Sequence, residues 1–218
     1  MTGAEWLACE NPNHALSLLR AVGVRSRRKD RLAAVAGLRH FWSDLSAEQR
    51  RAVTAAERYA DGEIRFPELR AAAARAGSGA SGRLPDAAAR VTDRVAADAL
   101  WMTAVLYLPV VFGGPVYTDP PFQDARAYAD QGRPMMAILR CSFGNPFRPV
   151  TADPRWLSST AVTLARTIYE GRAFDRLPIL ADALEEAGCD VSALLDHCRG
   201  DGPHVRGCWV VDLLTGRE

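Results

Sequence analysis

The sequence predicts an all-α fold, a compact multi-helix domain of about ten helices. Apolar residues recur at helical spacing, as at Ala161, Leu164, Ala165 and Ile168, whereas the alternating runs typical of strands are missing. Alanine and arginine, both strong helix formers, are abundant throughout the chain. Capping residues at the start of several segments and glycines at their ends support the same fold class.

Five helices are predicted before residue 77. The first begins with a capping box at Thr2 and Glu5, and the second runs from Pro12 to about Gly23. The third is capped by Ser26 and carries an apolar stripe of Leu38, Phe41, Trp42 and Leu45. The fourth starts with a second capping box at Ser46 and Gln49 and stops at Asp61-Gly62, and the fifth runs from about Phe66 to Ala76. The capping residues among these signals act locally, because their side chains supply partners for the backbone N–H groups that a helix start leaves free.

The second half of the chain is predicted to continue in helices. The expected segments are a long helix after Pro85 that Pro109 ends or kinks, helices near Phe122–Asp130 and Pro134–Cys141, one through Ala161–Ile168, one capped by Asp175 and stopped by Gly188, one from Asp190 to Gly200, and a last helix from Pro203 to Gly216. Cys208–Leu214 contains β-formers, but Pro203 and Gly216 favour a helix there. We expect four large aromatic residues in the core: Trp42, Trp101, Trp156 and Trp209.

A glycine- and serine-rich segment at residues 77–82 is the one low-complexity stretch of the chain. Such a segment is typical of a flexible connector or a long loop. The sequence therefore predicts a single helical domain over residues 1–218, with room for two lobes, 1–76 and 84–218, joined near residues 77–83.

Composition places the chain among ordinary globular proteins. It has 218 residues and a net charge of +1, with 48% hydrophobic and 24% charged residues, which excludes disordered and fibrous classes. The five cysteines are an odd number without a CxxC pair, so a disulfide framework is not expected. A signal peptide is missing and the longest apolar run is broken by Pro109, so we expect a cytoplasmic protein without membrane contact.

Several long strings carry a resemblance to other proteins. They are FGNPFRPV at 143–150, RAFDRLPILADALEEAGC at 172–189, GPHVRGCWVVDLL at 202–214 and the opening EWLAC at 5–9. With these strings the chain resembles an uncharacterised family of bacterial proteins, and the match includes both ends of the chain. The resemblance implies relatives but no activity.

Metal or catalytic chemistry has its best candidates near the C-terminus. In a helix from Pro203, His204, Cys208 and Asp212 would share one face, and His197 lies just before the turn. His197, His204 and Cys208 are the candidate metal ligands, since zinc or iron would fit such a set. We nevertheless expect no cofactor, because nothing in the sequence fixes the convergence of four ligands, and a buried structural Cys208 explains the pattern as well.

Charged residues supply two further candidate binding regions. Arg148 and the group Arg172, Asp175 and Arg176 would bind an anion or form ion pairs within the fold, and arginine forks commonly do the latter. Asp212 is a further candidate binding residue, since its carboxylate accepts hydrogen bonds. The densest basic run, residues 25–31, contains no aromatic residues for stacking on bases, so nucleic acid is not the expected partner.

The common nucleotide, protease, hydrolase and calcium motifs are missing from the sequence. The leading hypothesis is therefore a non-catalytic helical interaction or adaptor module that binds another protein. The alternative is a metal-dependent or cysteine-dependent enzyme centred on the C-terminal His/Cys cluster, with Cys208 as nucleophile and His204 as base in the cysteine form. The sequence assigns no catalytic residue.

Overall fold

The structure, a computed structural model, describes residues 2–77 and 125–217. This part of the chain contains ten α-helices and no strand, which confirms the predicted all-α class and the number of helices. The helices are α1 (Gly3–Ala8), α2 (Pro12–Val22), α3 (Arg27–Arg39), α4 (Ala47–Ala60), α5 (Phe66–Gly77), α6 (Ala125–Phe143), α7 (Ser159–Gly171), α8 (Leu177–Glu186), α9 (Ser192–Arg199) and α10 (Trp209–Thr215).

Side-chain caps explain where the N-terminal helices begin. The predicted caps at Thr2, Ser26 and Ser46 are all confirmed. The Ser26 hydroxyl accepts the Lys29 N–H at 3.1 Å. At Ser46 the box is reciprocal: its hydroxyl accepts the Gln49 N–H, and the Gln49 side chain accepts the Ser46 N–H at 2.8 Å. Two donors that the helix leaves free are thereby satisfied.

Replacing Ser46 with Ala should lower the free energy of unfolding by about 1 kcal/mol, because the Gln49 N–H loses its acceptor. Urea denaturation followed by circular dichroism measures this loss. Ser43→Ala is the matched control, since its exposed hydroxyl contacts the Asp44 carboxylate and caps no α-helix, and it should change stability by less than about 0.5 kcal/mol. Equal losses in the two variants would contradict the role of the cap.

Backbone contacts divide the chain into two compact units. Unit 1 is Met1–Leu7 with Ala137–Glu218, and unit 2 is Ala8–Met136, so the boundary falls inside α6. The expected lobes 1–76 and 84–218 stay a prediction, because the segment between them is not described. The helix expected after Pro85 and the burial expected of Trp101 also lie outside the described residues.

Unit 2 is organised by α4, which packs against both α3 and α5. Basic side chains of residues 25–31 form ion pairs with carboxylates of the same unit. Arg25 makes a two-pronged ion pair with Asp30, both bonds at 2.9 Å, and Arg28 pairs with Asp61 at 3.1 Å. Arg31 is 3% exposed. Much of the positive charge that a phosphate backbone would need is therefore already neutralised.

Unit 1 has an apolar core between α7, α8, α9 and α10. Fully buried side chains of this core include Tyr169, Ile168, Leu184 and Leu194. The core also encloses Trp156, which confirms its predicted burial. Cys141, at the end of α6, belongs to the same cluster of buried residues, so the last turn of α6 is anchored in unit 1.

Pro134 does not end a helix, in contrast to the prediction of separate helices at Phe122–Asp130 and Pro134–Cys141. It lies inside the continuous α6. Proline removes one helical hydrogen bond there, but Met135, Met136 and Leu139 after it are fully buried. Burial of these side chains offsets the lost bond.

Other helix starts and stripes differ from the prediction because tertiary contacts replace local signals. Asp175 and Asp190 do not cap α8 and α9, each of which begins without a side-chain cap. The third helix ends at Arg39, and Phe41 is buried beyond it. Trp42 and Trp209 are half-buried, and Trp209 packs against the core of unit 1. Trp42 is covered by a guanidinium, since the Arg39 Cζ lies 4.3 Å from its ring centroid.

No helix in the described part of the chain combines the length and the apolar character that a bilayer crossing requires.

Candidate metal centre

Four side chains of unit 1 converge on one point. Cys141, His197, His204 and Cys208 each offer a ligand atom, and these atoms all lie within 4.8 Å of one another. The His197 Nε2 lies 3.2 Å from the Cys208 Sγ, and the His204 Nδ1 lies 3.9 Å from the Cys141 Sγ. Both cysteines are buried, with 2% and 0% of their surface exposed.

The turn before α10, not the helix itself, delivers His204 and Cys208. The predicted helix from Pro203 is wrong at its start: α10 begins at Trp209. The Cys208 N–H donates to the Val205 carbonyl at 2.9 Å, and Gly207 adopts φ +91°. A β-turn with glycine at such an angle interrupts the helix, because other residues rarely adopt that backbone. His204 and Cys208 are therefore brought together by a turn instead of a shared helix face.

Cys141 is the ligand that the sequence analysis missed. It occupies the last turn of α6, 63 residues before His204. The sequence carries no signal for this contact, since the spacing matches no metal-binding motif. Packing of the end of α6 into the core of unit 1 places the thiol in the cluster.

His197 stands in the last turn of α9, where two aromatic neighbours fix its ring. Its centroid lies 4.9 Å from that of His204 in a perpendicular arrangement and 5.5 Å from that of Trp209. Edge-to-face contacts of this kind hold rings in one orientation.

A backbone carbonyl orients the second imidazole. The His204 Nε2 lies 3.0 Å from the Gly200 carbonyl oxygen, which can only accept, so this nitrogen carries the proton and donates. The lone pair of Nδ1 is then directed at the sulfur atoms. Metal-bound histidines commonly donate their outer N–H to a carbonyl or carboxylate in this way.

The cluster favours a thiolate at Cys208. Burial opposes the charged form, but hydrogen bonds with Cys141, His197 and His204 outweigh burial and hold the pKa of Cys208 well below its usual range. The pKa of Cys141 is raised well above the ordinary value, because its S–H donates to Cys208 and its surroundings are buried. The charged form is therefore favoured at Cys208, whereas Cys141 would have to give up a proton to bind a cation as a thiolate.

The pKa of His204 is raised, although burial acts in the opposite direction. Hydrogen bonds with Cys208 and with the Gly200 carbonyl outweigh the burial. The negative charge of Cys208 that contributes to this raised pKa would also attract a bound cation.

The other two cysteines of this region stay outside the cluster. Cys198 is fully buried next to His197 in sequence, and burial raises the pKa of its thiol far above the usual value. Burial also raises the pKa of Cys189. Neutral thiols enclosed by apolar neighbours behave as small core residues.

The three predicted binding residues have different surroundings. Arg148 is exposed and lies beside Gly3. Arg172 ends α7 in the left-handed conformation, with φ +52°. Asp212 is 2% exposed, and its charge contributes to raising the pKa of Cys141. Of the three, Asp212 is the one whose field reaches the cluster.

The geometry suits a single tetrahedral ion. Zinc bound by two sulfur and two nitrogen atoms requires ligand separations of about 3.3–3.8 Å. The His197–Cys208 pair at 3.2 Å and the Cys141–His204 pair at 3.9 Å lie just outside this range, every pair is within 4.8 Å, and the set includes two thiols and two imidazoles. The group could therefore hold a metal ion, although no cofactor was expected from the sequence, in which nothing indicated that four ligands converge.

Comparisons with known proteins yielded no match among protein families, curated proteins or solved structures.

Proposed function

We propose that Cys141, His197, His204 and Cys208 bind one Zn²⁺ and that the chain is a non-catalytic helical module stabilised by this metal. The observation that carries the proposal is the convergence of two thiols and two imidazoles within 4.8 Å. The hydrogen bond from His204 to the Gly200 carbonyl supports it, since it directs the free nitrogen toward the sulfur atoms.

Zinc suits this ligand set better than iron does. Tetrahedral coordination by two sulfur and two nitrogen atoms is typical of structural zinc sites. A two-iron cluster would divide its ligands between two metals, with both imidazoles on one of the irons. The single small space enclosed by these four atoms favours one ion.

A structural role is supported by the number of ligands and by their burial. Four protein ligands close a tetrahedral shell, whereas catalytic zinc keeps one position open for water or substrate. Cys208 is 0% exposed, which disfavours nucleophilic attack on a substrate even though its thiol is acidic. These features favour a non-catalytic module over the metal- or cysteine-dependent enzyme.

We propose another protein as the partner of this module. The pairing of Arg25 and Arg28 with carboxylates inside unit 2 disfavours nucleic acid, because contacts with phosphates depend on accessible positive charge. In unit 1, Ile179 is 57% and Leu157 42% exposed, so a partner that covered them would remove apolar surface from water.

Elemental analysis of protein purified without a metal-affinity tag tests the zinc site. We expect one zinc per chain, and less than about a tenth of that in Cys141→Ala and in Cys208→Ala, because each variant opens the ligand shell. Cys189→Ala and Cys198→Ala are the matched controls: both remove a buried cysteine of unit 1, and both should retain the metal.

If the protein contained iron and no zinc, the proposed metal would be wrong but its ligands could be retained. If the metal content were the same in all four variants, the site would be refuted. Substitution with Co²⁺ adds a test of the role. A spectrum of four-coordinate Co²⁺ that stays constant when small anions are added supports a closed ligand shell. A spectrum that changes because an anion binds the metal would favour the metal-dependent enzyme.

A further inference from the structure

The N-terminal helix α1 is attached to unit 1 by specific contacts distant in sequence. Trp6 is fully buried, and its Nε1–H donates to the Gly144 carbonyl at 2.8 Å, 138 residues away. The Asn145 side chain donates to the Gly3 carbonyl at 3.2 Å. One buried indole and two hydrogen bonds therefore hold a helix too short to be stable alone.

The surface that receives α1 is the docking loop, Gly144–Arg148, within one of the strings noted in the sequence. A Cβ atom at Gly3 would lie 2.9 Å from the Asn145 Nδ2 and 3.3 Å from the Arg148 Nε. A side chain at Gly3 would therefore require the Asn145 and Arg148 side chains to shift. The close fit shows that α1 and the docking loop are complementary in shape.

The docking loop is built on the proposed metal ligands. The Gly144 N–H donates to the Arg140 carbonyl at 2.9 Å and closes the turn of α6 that carries Cys141. Gly144 adopts φ +62°, and a Cβ atom there would lie 3.1 Å from the Trp209 ring. Trp209 directly follows Cys208. The Gly144 carbonyl that accepts from Trp6 is thus held between the last turn of α6, which contains Cys141, and Trp209, which follows Cys208.

His197 completes the connection. Its ring contacts Trp209 at a centroid distance of 5.5 Å, while its Nε2 faces the Cys208 Sγ. A metal that fixes Cys141, His197 and Cys208 also fixes Trp209 against Gly144. Loss of the metal frees these segments to separate, and the acceptor for Trp6 then moves.

We infer that zinc binding and docking of α1 are coupled, so that the N-terminal helix is held when zinc is bound and released when it is lost. This inference rests on the proposed zinc site. Coupling between two sites is reciprocal, so undocking α1 must weaken zinc binding by the same factor by which zinc favours docking. Couplings of this kind commonly change affinity by about 5–150-fold.

The first test follows the indole N–H signal of Trp6 by NMR in the full chain, assigned by its loss in Trp6→Phe. Removing zinc with a chelator should shift this signal to the position of a solvated indole and accelerate its exchange with water. The indole N–H of Trp156, which is buried in the core of unit 1, serves as internal control and should remain protected.

The second test measures zinc affinity by competition with a chromophoric chelator. Trp6→Ala should weaken binding by about 5–150-fold. Trp6→Phe, which keeps an apolar ring but loses the donor, should weaken it less and covers the case in which Trp6→Ala fails to fold. Leu7→Ala is the matched control, because Leu7 is 60% exposed on the same helix, and it should bind zinc as the unmodified chain does.

The coupling would be overturned, and the zinc site retained, if the chain bound one zinc but the Trp6 signal did not change on its removal and all variants bound zinc with equal affinity. Simultaneous loss of the Trp6 and Trp156 signals would also overturn it, because the unit would then unfold as a whole. Failure to bind zinc at all would refute the proposed function itself.

Discussion

Zinc at a thousandfold excess over its Kd should raise the free energy of unfolding of unit 1 by about 4 kcal/mol. A ligand that binds only the folded state stabilises it by RT ln(1 + [L]/Kd), which gives this value. A domain of this size gains roughly 4–8 °C in Tm for each kcal/mol, so we expect a rise of about 15–30 °C. Metal-free unit 1 should still fold, since most of its buried cluster, including Tyr169 and Leu184, consists of apolar side chains other than the proposed ligands.

Calorimetry of the chelated and the zinc-loaded chain measures this stabilisation, and hydrogen exchange of α7 and α8 assigns it to unit 1. Cys208→Ala should show no rise in Tm with zinc, whereas Cys189→Ala should show the full rise. If the native chain bound one zinc and melted at the same temperature with and without it, the metal would not have the structural role proposed above.

Replacing Arg39 with Ala should destabilise unit 2 by about 3–5 kcal/mol. Arg39 and Glu57 form two parallel hydrogen bonds, at 2.6 and 2.7 Å, between α3 and α4. The Glu57 side chain is 1% exposed, so removal of the guanidinium leaves a buried carboxylate without this cation. The variant also loses the stacking of Arg39 on Trp42.

The reverse change, Glu57→Ala, should cost less, because the Arg39 side chain is 25% exposed and can regain water. Chemical denaturation with exchange of α3 and α4 amides measures both variants. Arg51→Ala is the matched control: Arg51 pairs with Glu48 at the surface and should contribute less than about 1 kcal/mol. Equal losses at Arg39 and Arg51 would contradict the importance of burial.

Much of the fold could be predicted from the sequence because helix ends are decided by near neighbours. The boxes at Thr2 and Ser46 involve partners three residues apart, and the glycines after α2 and α10 adopt the left-handed angles that end a helix. Asp175 and Asp190 had the right residue type for caps but are not used as such, because α8 and α9 begin two residues beyond them and place Arg176 and Val191 at the capping positions.

Part of the candidate site was also visible in the sequence. His197, His204 and Cys208 were identified by residue type and proximity. Their arrangement was predicted incorrectly, because a proline at 203 suggested a helix start while Gly207 supplies the turn that delays the helix to Trp209. The positive φ angle of one glycine thus decides whether these ligands share a helix face or a loop.

The sequence by itself determined the all-α class and the caps of the N-terminal helices, since these depend on periodicity and on contacts a few residues long. Residue type and proximity also singled out three of the four clustered side chains. Only the tertiary structure decided that Cys141 joins them and that Trp6 reaches Gly144. The physical reason is distance along the chain. The Cys141–His204 contact joins residues that are 63 positions apart, and the Trp6–Gly144 contact joins residues that are 138 positions apart. Such contacts follow from how whole helices bury their apolar faces, and no local pattern encodes that packing.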